Sequence, residues 1–278
     1  MDKTSLNIRL KYNEMGKTEK RIADWIEKNP GKIISLSIVE LAELCKCSEA
    51  TVVRFSKRLG LSGYQELKIS LASEGGSTVI STGITSDDTA HEMYEKLCND
   101  IYLSLERTKK SLNKNSINES ADKICKANKI IIMGLGNSAS IALDASHKFL
   151  RTGLNAYAYT DNHMQMIASS HLDKNDVAIG ITHSGSSKDI VEALKTAKNH
   201  GATTICITNK GKSPVLKYCD YVLATDSEET KYSILALNSR IAQLVIIDTL
   251  YSYVVCNLSE HAQESIKETE RSLLTKKY

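Results

Sequence analysis

The chain has 278 residues, 41% of them apolar and 25% charged, with 36 basic against 33 acidic side chains and a net charge of +3. That length suits one large or two medium domains with sizeable cores, and aromatics at only 5% make those cores mostly aliphatic. The seven cysteines form no CxxC pair, and Cys45 and Cys47 are one residue apart, which excludes zinc-finger and redox-motif spacing.

Cys98, Cys125, Cys206 and Cys256 lie in apolar segments and are expected as small core residues. Neither a metal nor a cofactor is expected. The chain opens without an apolar signal region and lacks a run of about 18 apolar residues. The expectation is a protein of the reducing cytoplasm with no membrane span. The charge excess is N-terminal: residues 1–80 carry 13 basic and 10 acidic side chains, and the remainder carries 23 of each.

Residues 4–14 are predicted as a short helix with Leu6 and Leu10 on one face. Residues 18–29 follow as a second, with Ile22, Trp25 and Ile26 inward, ended by Asn29-Pro30-Gly31. Ser37-Ile-Val-Glu40 has the spacing of a capping box and opens a third helix. Cys47 and its neighbours make a turn. Ser48 caps a fourth helix, which Gly60 can end in a left-handed conformation. Ser62-Gly-Tyr-Gln65 is a further capping box, opening a helix to about Ala72 with Leu67 and Leu71 inward.

The third and fourth helices read as a helix-turn-helix. In the fourth, Thr51, Arg54 and Arg58 share one face, while Val52, Phe55 and Leu59 share another that can pack inward. A helix with one apolar side and one Thr/Arg/Lys side suits the DNA major groove. Residues 45–70 add to this, with Lys46, Arg54, Lys57, Arg58 and Lys68 against Glu49 and Glu66.

Residues 73–90 are rich in Ser, Thr and Gly and read as a linker between residues 1–74 and a second domain at 90–278. Residues 90–112 form a helix with Met93, Leu97, Ile101 and Leu105 four apart, packing on the second domain or on a partner subunit. From about residue 115 the pattern becomes β/α. Strands are expected at 129–133, 155–159, 176–181, 203–208 and 221–225, and helices at 139–152, 163–170 and 189–200. That alternation implies a parallel sheet with helices on both faces. Residues 233–256 make a long apolar helix. Asn238, Arg240, Gln243 and Asp248 make it too polar for a membrane span and suit burial at a subunit contact.

In such a sheet, ligands bind beyond the carboxyl ends of the strands. The first strand ends in Gly134-Leu-Gly136-Asn137-Ser138-Ala139, and the third in Thr182-His183-Ser184-Gly185-Ser186-Ser187. Both offer hydroxyl and backbone N–H groups at a helix N-terminus, which suits an oxyanion. The first loop alone is also compatible with a dinucleotide fingerprint, with Asp161 as ribose partner. The second hydroxyl-rich loop makes a phosphate cradle the better description of the pair. No Gly-Lys-Ser/Thr follows the first loop, which argues against a P-loop NTPase.

Over these motifs the chain resembles the RpiR/MurR family of bacterial transcription regulators. LAELCKCSEATVVRFSKRLGLSGYQELKISLA resembles that family's helix-turn-helix. GLGNSA and ITHSGSSKD resemble the two phosphate loops of its sugar-isomerase (SIS) domain, and SRIAQLVIIDTLY its late helix. The implied fold is an all-α helix-turn-helix domain followed by a three-layer α/β domain with a parallel sheet. The resemblance implies sugar-phosphate contacts from Gly136, Asn137, Ser138, His183, Ser184, Ser186 and Ser187, with Glu228 or Glu229 facing the sugar. Residues near the sugar ring, at His163, Glu228 and Lys231, would set its identity.

The expected function is a homodimeric or homotetrameric regulator, not an enzyme, whose binding to a double-stranded operator is controlled by a phosphorylated sugar. Ser48, Ala50, Thr51, Arg54 and Lys57 would line the base-reading side. Arg58, Tyr64 and Lys68 would hold phosphates. Two alternatives are a sugar-phosphate isomerase with an accessory helical domain and a nicotinamide-sensing regulator using Gly134, Gly136, Ala139 and Asp161.

Overall fold

The structure, a computed structural model, describes residues 4–29, 32–33, 36–74, 84–227, 237–257 and 260–274. The chain divides into two compact units, and a long helix crosses the division between Leu103 and Ser104.

The N-terminal unit is helical: α1 Thr4–Lys11, α2 Lys17–Lys28, α3 Ile38–Leu44, α4 Glu49–Arg58, α5 Tyr64–Ser73 and the first part, to Leu103, of the long helix α6 Ala90–Ser111. A single turn of 3-10 helix at Tyr12–Glu14 follows α1. The core of α1–α5 includes Ile8, Ile22, Ile26, Leu41, Val52, Phe55, Leu67 and Leu71, with Trp25 packed partly buried at its edge. Leu6 and Leu10 share a face of α1, but it is the outer one, 51% and 69% exposed, and Thr4 and Ile8 are the buried residues. A short helix presents a single large side chain inward per two turns, and its neighbours choose which.

The caps follow local chemistry. Ser37 Oγ accepts the Glu40 N–H, and the Glu40 carboxylate accepts the Ser37 N–H at 2.8 Å, a complete capping box. Ser48 Oγ accepts the Thr51 N–H. At the start of α5 the Ser62 N–H donates to the Glu66 carboxylate, in place of the capping box with Gln65 that the sequence suggested. Residues 84–89, inside the stretch read as a linker, form a turn. Thr85 N–H donates to Asp88 at 2.8 Å, Lys96 pairs with Asp88 at 2.7 Å, and Thr89 exchanges bonds with Glu92 to cap α6.

The second unit is a three-layer α/β domain. Strands β1 Ile130–Gly134, β2 Ala156–Tyr159, β3 Val177–Ile181, β4 Thr203–Asn209 and β5 Tyr221–Thr225 form one parallel sheet in the order β2-β1-β3-β4-β5. Both faces of the sheet are covered, which is why β1 and β3 are buried apolar runs rather than alternating ones. On one face Ile130, Ile132, Ile179, Ile205 and Leu223 pack with α7 Lys114–Lys126, α8 Asn137–Arg151 and α11 Leu237–Asn257. On the other, Ile131, Met133, Ala178 and Cys206 pack with α10 Lys188–Asn199, a 3-10 turn at Pro214–Tyr218 and, through Ala168, α9 Asn162–Ser170. A last helix, α12, spans Glu260–Leu274.

The composition of α11 is apolar enough for a membrane span. Its Ile246, Ile247, Leu250 and Val254 instead sit in the sheet core, and Asp248 pairs with Lys148 of α8. Of the cysteines expected inside, Cys206 is buried and Cys125 half-buried, whereas Cys98 and Cys256 are exposed on outer helix faces.

Candidate functional site

Two surfaces follow from these folds, one in each unit. In the helical unit, α3 and α4 are joined by a turn in which Lys46 has φ 49. Its N–H donates to Glu43 O at 3.0 Å and the Cys47 N–H to Ala42 O at 2.8 Å, the paired closure that ends a helix with a left-handed residue. Arg21 of α2 holds the Lys46 carbonyl at 3.0 Å. Burial raises the Cys45 thiol to about 11 and pushes Cys47 up as well, so both stay neutral thiols near neutral pH.

From that turn α4 projects a connected polar row. Ser48 Oγ and Thr51 Oγ1 share a hydrogen bond at 2.9 Å, and Arg54 Nη2 donates to Thr51 Oγ1 at 3.2 Å. Ala50, Arg54 and Lys57 are exposed, while Val52 and Phe55 on the reverse face are fully buried. The guanidinium is therefore held to the outer side of the helix.

The three residues expected on phosphates also make contacts within the domain. Arg58 pairs with Glu19 at 2.8 Å and donates to the Glu14 carbonyl at 2.7 Å, tying the end of α4 to α2. Tyr64 is 8% exposed, and its hydroxyl donates to Leu36 O at 3.1 Å. Burial, with the nearby Glu40 charge, pushes that hydroxyl's pKa far up. Lys68 Nζ donates to the same carbonyl at 3.0 Å and lies over the Tyr64 ring. Tyr64 is thereby committed to the core, Lys68 is half-buried on the same carbonyl, and Arg58 stays exposed while engaged with Glu19 and the Glu14 carbonyl.

In the α/β unit, the order β2-β1-β3-β4-β5 sends the chain from β1 to β2 on one side and then back to β3 on the other. The ends of β1 and β3 thus flank the crevice where open α/β sheets bind ligands. Gly134 and Ile181 are register partners, so both expected loops leave from adjacent strand ends. The first needs its glycines. A Cβ on Gly134 would lie 2.4 Å from the Ser138 carbonyl oxygen. Gly136 has φ 55 and ψ −126, a conformation closed to L side chains. Together they let the chain reverse into α8, whose first turn bears Asn137 and Ser138.

The second loop is tethered to β4 and to the 3-10 turn. The His183 carbonyl accepts the Asn209 N–H at 3.0 Å, and the Gly185 carbonyl accepts the Val215 N–H at 3.1 Å. Gly185 has φ 61. Ser186 N–H donates to Ser184 Oγ at 3.3 Å, and Ser187 stands at the N-cap of α10 without its side chain capping the helix. Ser184 is exposed, and Ser186 and Ser187 are half-buried. The arrangement can present hydroxyl and N–H donors from two helix N-termini to one anion.

Asp161, the ribose partner of the dinucleotide alternative, accepts the Met164 N–H at 3.0 Å as the N-cap of α9. Glu228, Glu229 and Lys231 lie outside the described residues. Among the described residues no group of three or more His, Cys, Asp or Glu side chains is placed to hold a metal ion. Sequence reasoning missed Gln165, a polar residue in the first turn of α9 that carries no motif of its own. It is fully buried and donates from Nε2 to Tyr159 O at 2.9 Å and Gly134 O at 3.3 Å.

Comparison with known proteins agrees with this division. Residues 3–77 match a helix-turn-helix domain of the rpiR family, and residues 123–253 match the SIS domain. An HTH-type transcriptional regulator of Caldanaerobacter subterraneus is 41% identical over 239 residues, covering 85% of each chain. The HTH-type transcriptional regulator RpiR of Escherichia coli is 31% identical over 264 residues, 94% of this chain and 89% of that one. The structure of the Vibrio vulnificus NanR protein complexed with ManNAc-6P superposes with a TM-score of 0.83, covering 99% of this chain and 100% of that one, at 21% identity.

Proposed function

The chain belongs to the RpiR family of helix-turn-helix transcriptional regulators with a SIS domain, and we propose that it is a DNA-binding regulator whose operator occupancy is set by a phosphorylated sugar. In this reading residues 1–74 bind DNA, 75–89 connect, and 90–278 bind the effector and oligomerise. The protein acts in the cytoplasm as a homodimer or homotetramer and carries out no catalysis.

The observation that carries the effector half is the pairing of two glycine- and hydroxyl-bearing loops at adjacent strand ends, Gly136–Ser138 and His183–Ser187, at the switch point of the sheet. Donors from both loops converge on a phosphate, and the sugar extends over the crevice. The structural neighbour NanR, complexed with ManNAc-6P, supports a phosphosugar in this class of fold. The DNA half rests on the row Ser48–Thr51–Arg54, which suits a major groove, with Ala50 and Lys57 beside it. The effector changes occupancy to the extent that it binds two arrangements of the protein unequally.

The test is a thermal-shift panel of sugar phosphates, including ManNAc-6P, with their parent sugars and NAD(H). A ligand at about 100 times its Kd adds roughly 2.7 kcal/mol. Stabilisation by a phosphosugar and not by its parent sugar is the expected result. The double substitution Ser184→Ala with Ser187→Ala should remove that shift while leaving DNA binding intact. Stabilisation by NAD(H) alone, or turnover of a phosphosugar, would overturn the reading.

A further inference from the structure

We propose that Gln165 is a positioning residue for the first phosphate loop, an inference that rests on reading that loop as part of the effector site. The β1–β2 ladder ends at the Met133–Tyr159 pair, where the Tyr159 carbonyl sits at its last rung and the Gly134 carbonyl one residue past it, and both can accept further donors. Gln165 supplies them: one amide nitrogen bridges Gly134 O of β1 and Tyr159 O of β2. Its own backbone N–H closes the first turn of α9 on Asp161 O at 2.9 Å. One side chain therefore ties two strand ends to one helix.

The orientation of the amide is forced. Turned over, its oxygen would face two carbonyl oxygens. In the observed orientation Oε1 is buried with no hydrogen-bond partner, an arrangement that costs stability. For packing alone, an apolar side chain of the same volume would serve better, so what the position gains from glutamine is the donor. The consequence reaches the loop because Gly134 has no slack. Even a Cβ there would lie 2.4 Å from the Ser138 carbonyl oxygen, so a shift of the Gly134 peptide toward α8 has to displace the helix's first turn. The path from α9 through Gln165 and Gly134 to Ser138 sets where the loop's donors point.

The experiment uses the full chain with Gln165→Met, which keeps the volume and removes the donor, and Gln165→Glu, which sets a carboxylate against the two carbonyls. Ser169→Ala is the control, since Ser169 is also fully buried in α9 and its hydroxyl reaches Met133 Sδ of β1 at 3.5 Å without touching either strand-end carbonyl. Hydrogen exchange is followed at the Ser138 and Ala139 amides, which close the turn on Leu135 O and Gly136 O, both at 3.1 Å. Titrations use ManNAc-6P, glucose 6-phosphate and inorganic phosphate.

Exchange at those two amides should rise at least tenfold in Gln165→Met and Gln165→Glu, and stay near wild type in Ser169→Ala and across α10 in every variant. Affinity for whichever probe binds the wild-type protein should fall at least tenfold, with operator binding retained. Wild-type exchange at Ser138 and Ala139 in Gln165→Met would overturn the proposal, as would equal exchange increases in all three variants. If the wild-type protein binds none of the probes, the effector reading is what fails, and the exchange rates still decide the role of Gln165.

Discussion

Replacing Gly134 by alanine puts a methyl carbon 2.4 Å from the Ser138 carbonyl oxygen, 2.7 Å from its carbonyl carbon and 3.2 Å from the Ala139 nitrogen. All three are backbone atoms, so no rotamer change relieves the contact. Ordinary carbon contacts lie at about 3.5 Å or more, so the first turn of α8 has to retreat by about 1 Å. Inserting a methyl into a packed site costs roughly 1–3 kcal/mol, and an immovable neighbour puts this case at about 3 kcal/mol. For a domain of this size each kcal/mol is worth roughly 2–4 °C, giving a loss of about 6–12 °C in Tm. Calorimetry of the full chain measures it. Trp25, the one tryptophan, lies in the helical unit, and its fluorescence transition should stay at the wild-type temperature. Gly180→Ala is the comparison: its Cβ would meet Leu194 Cδ1 at 2.6 Å, a side-chain end that can swing away, so the loss should be smaller. A Gly134→Ala protein melting within about 1 °C of wild type would refute the close approach of strand and helix.

Four further outcomes are expected. Lys46→Gly relieves a left-handed lysine, worth about 1 kcal/mol or more, against the extra chain entropy of glycine, so the Trp25 transition should move up by the equivalent of about 0.5 kcal/mol; a downward shift contradicts the turn geometry. Tyr64→Phe removes the bond to Leu36 O and should cost about 1 kcal/mol in urea melts with operator affinity unchanged. Arg54→Ala should weaken operator binding by about 10- to 100-fold at wild-type stability. Arg58→Ala should do the reverse, lowering stability by about 1 kcal/mol through the lost tie to Glu19 and Glu14. Identical behaviour of the two arginine variants in gel-shift and melting assays would undo that assignment.

Much of the fold was legible in the sequence, for reasons that differ by segment. The helix-turn-helix was readable because its boundaries are set by residues three or four apart: Ser37 with Glu40, Ser48 with Thr51, and Gly60 at φ 90. Strands β1 and β3 were readable as unbroken buried apolar runs, and β2, β4 and β5 as short segments rich in β-branched or tyrosine residues. Two helices were not. α7 carries few large apolar residues and buries Ser120 beside Ala121 and Ile124, and α12 is mostly polar. The stripe of α7, Ile117, Ala121, Ile124 and Cys125, has only two large side chains, which makes it easy to overlook.

Side-chain destinations were less legible. Tyr64, Lys68 and Arg58 look alike in sequence to Arg54 and Lys57, being basic or polar residues in the same stretch of chain. What separates them is a carbonyl or carboxylate 28 to 44 residues away along the chain. Gln165 is the same case, its partners lying at the ends of two different strands. Local signals, which are caps, periodicity and glycine-bearing loops, determined the elements and the places where chemistry could sit, because those signals act within a turn or two of chain. Which polar side chains face outward as candidates for binding, and which are consumed in holding the fold, was decided only by tertiary structure, because a buried donor or acceptor must find a partner and that partner is supplied by folding.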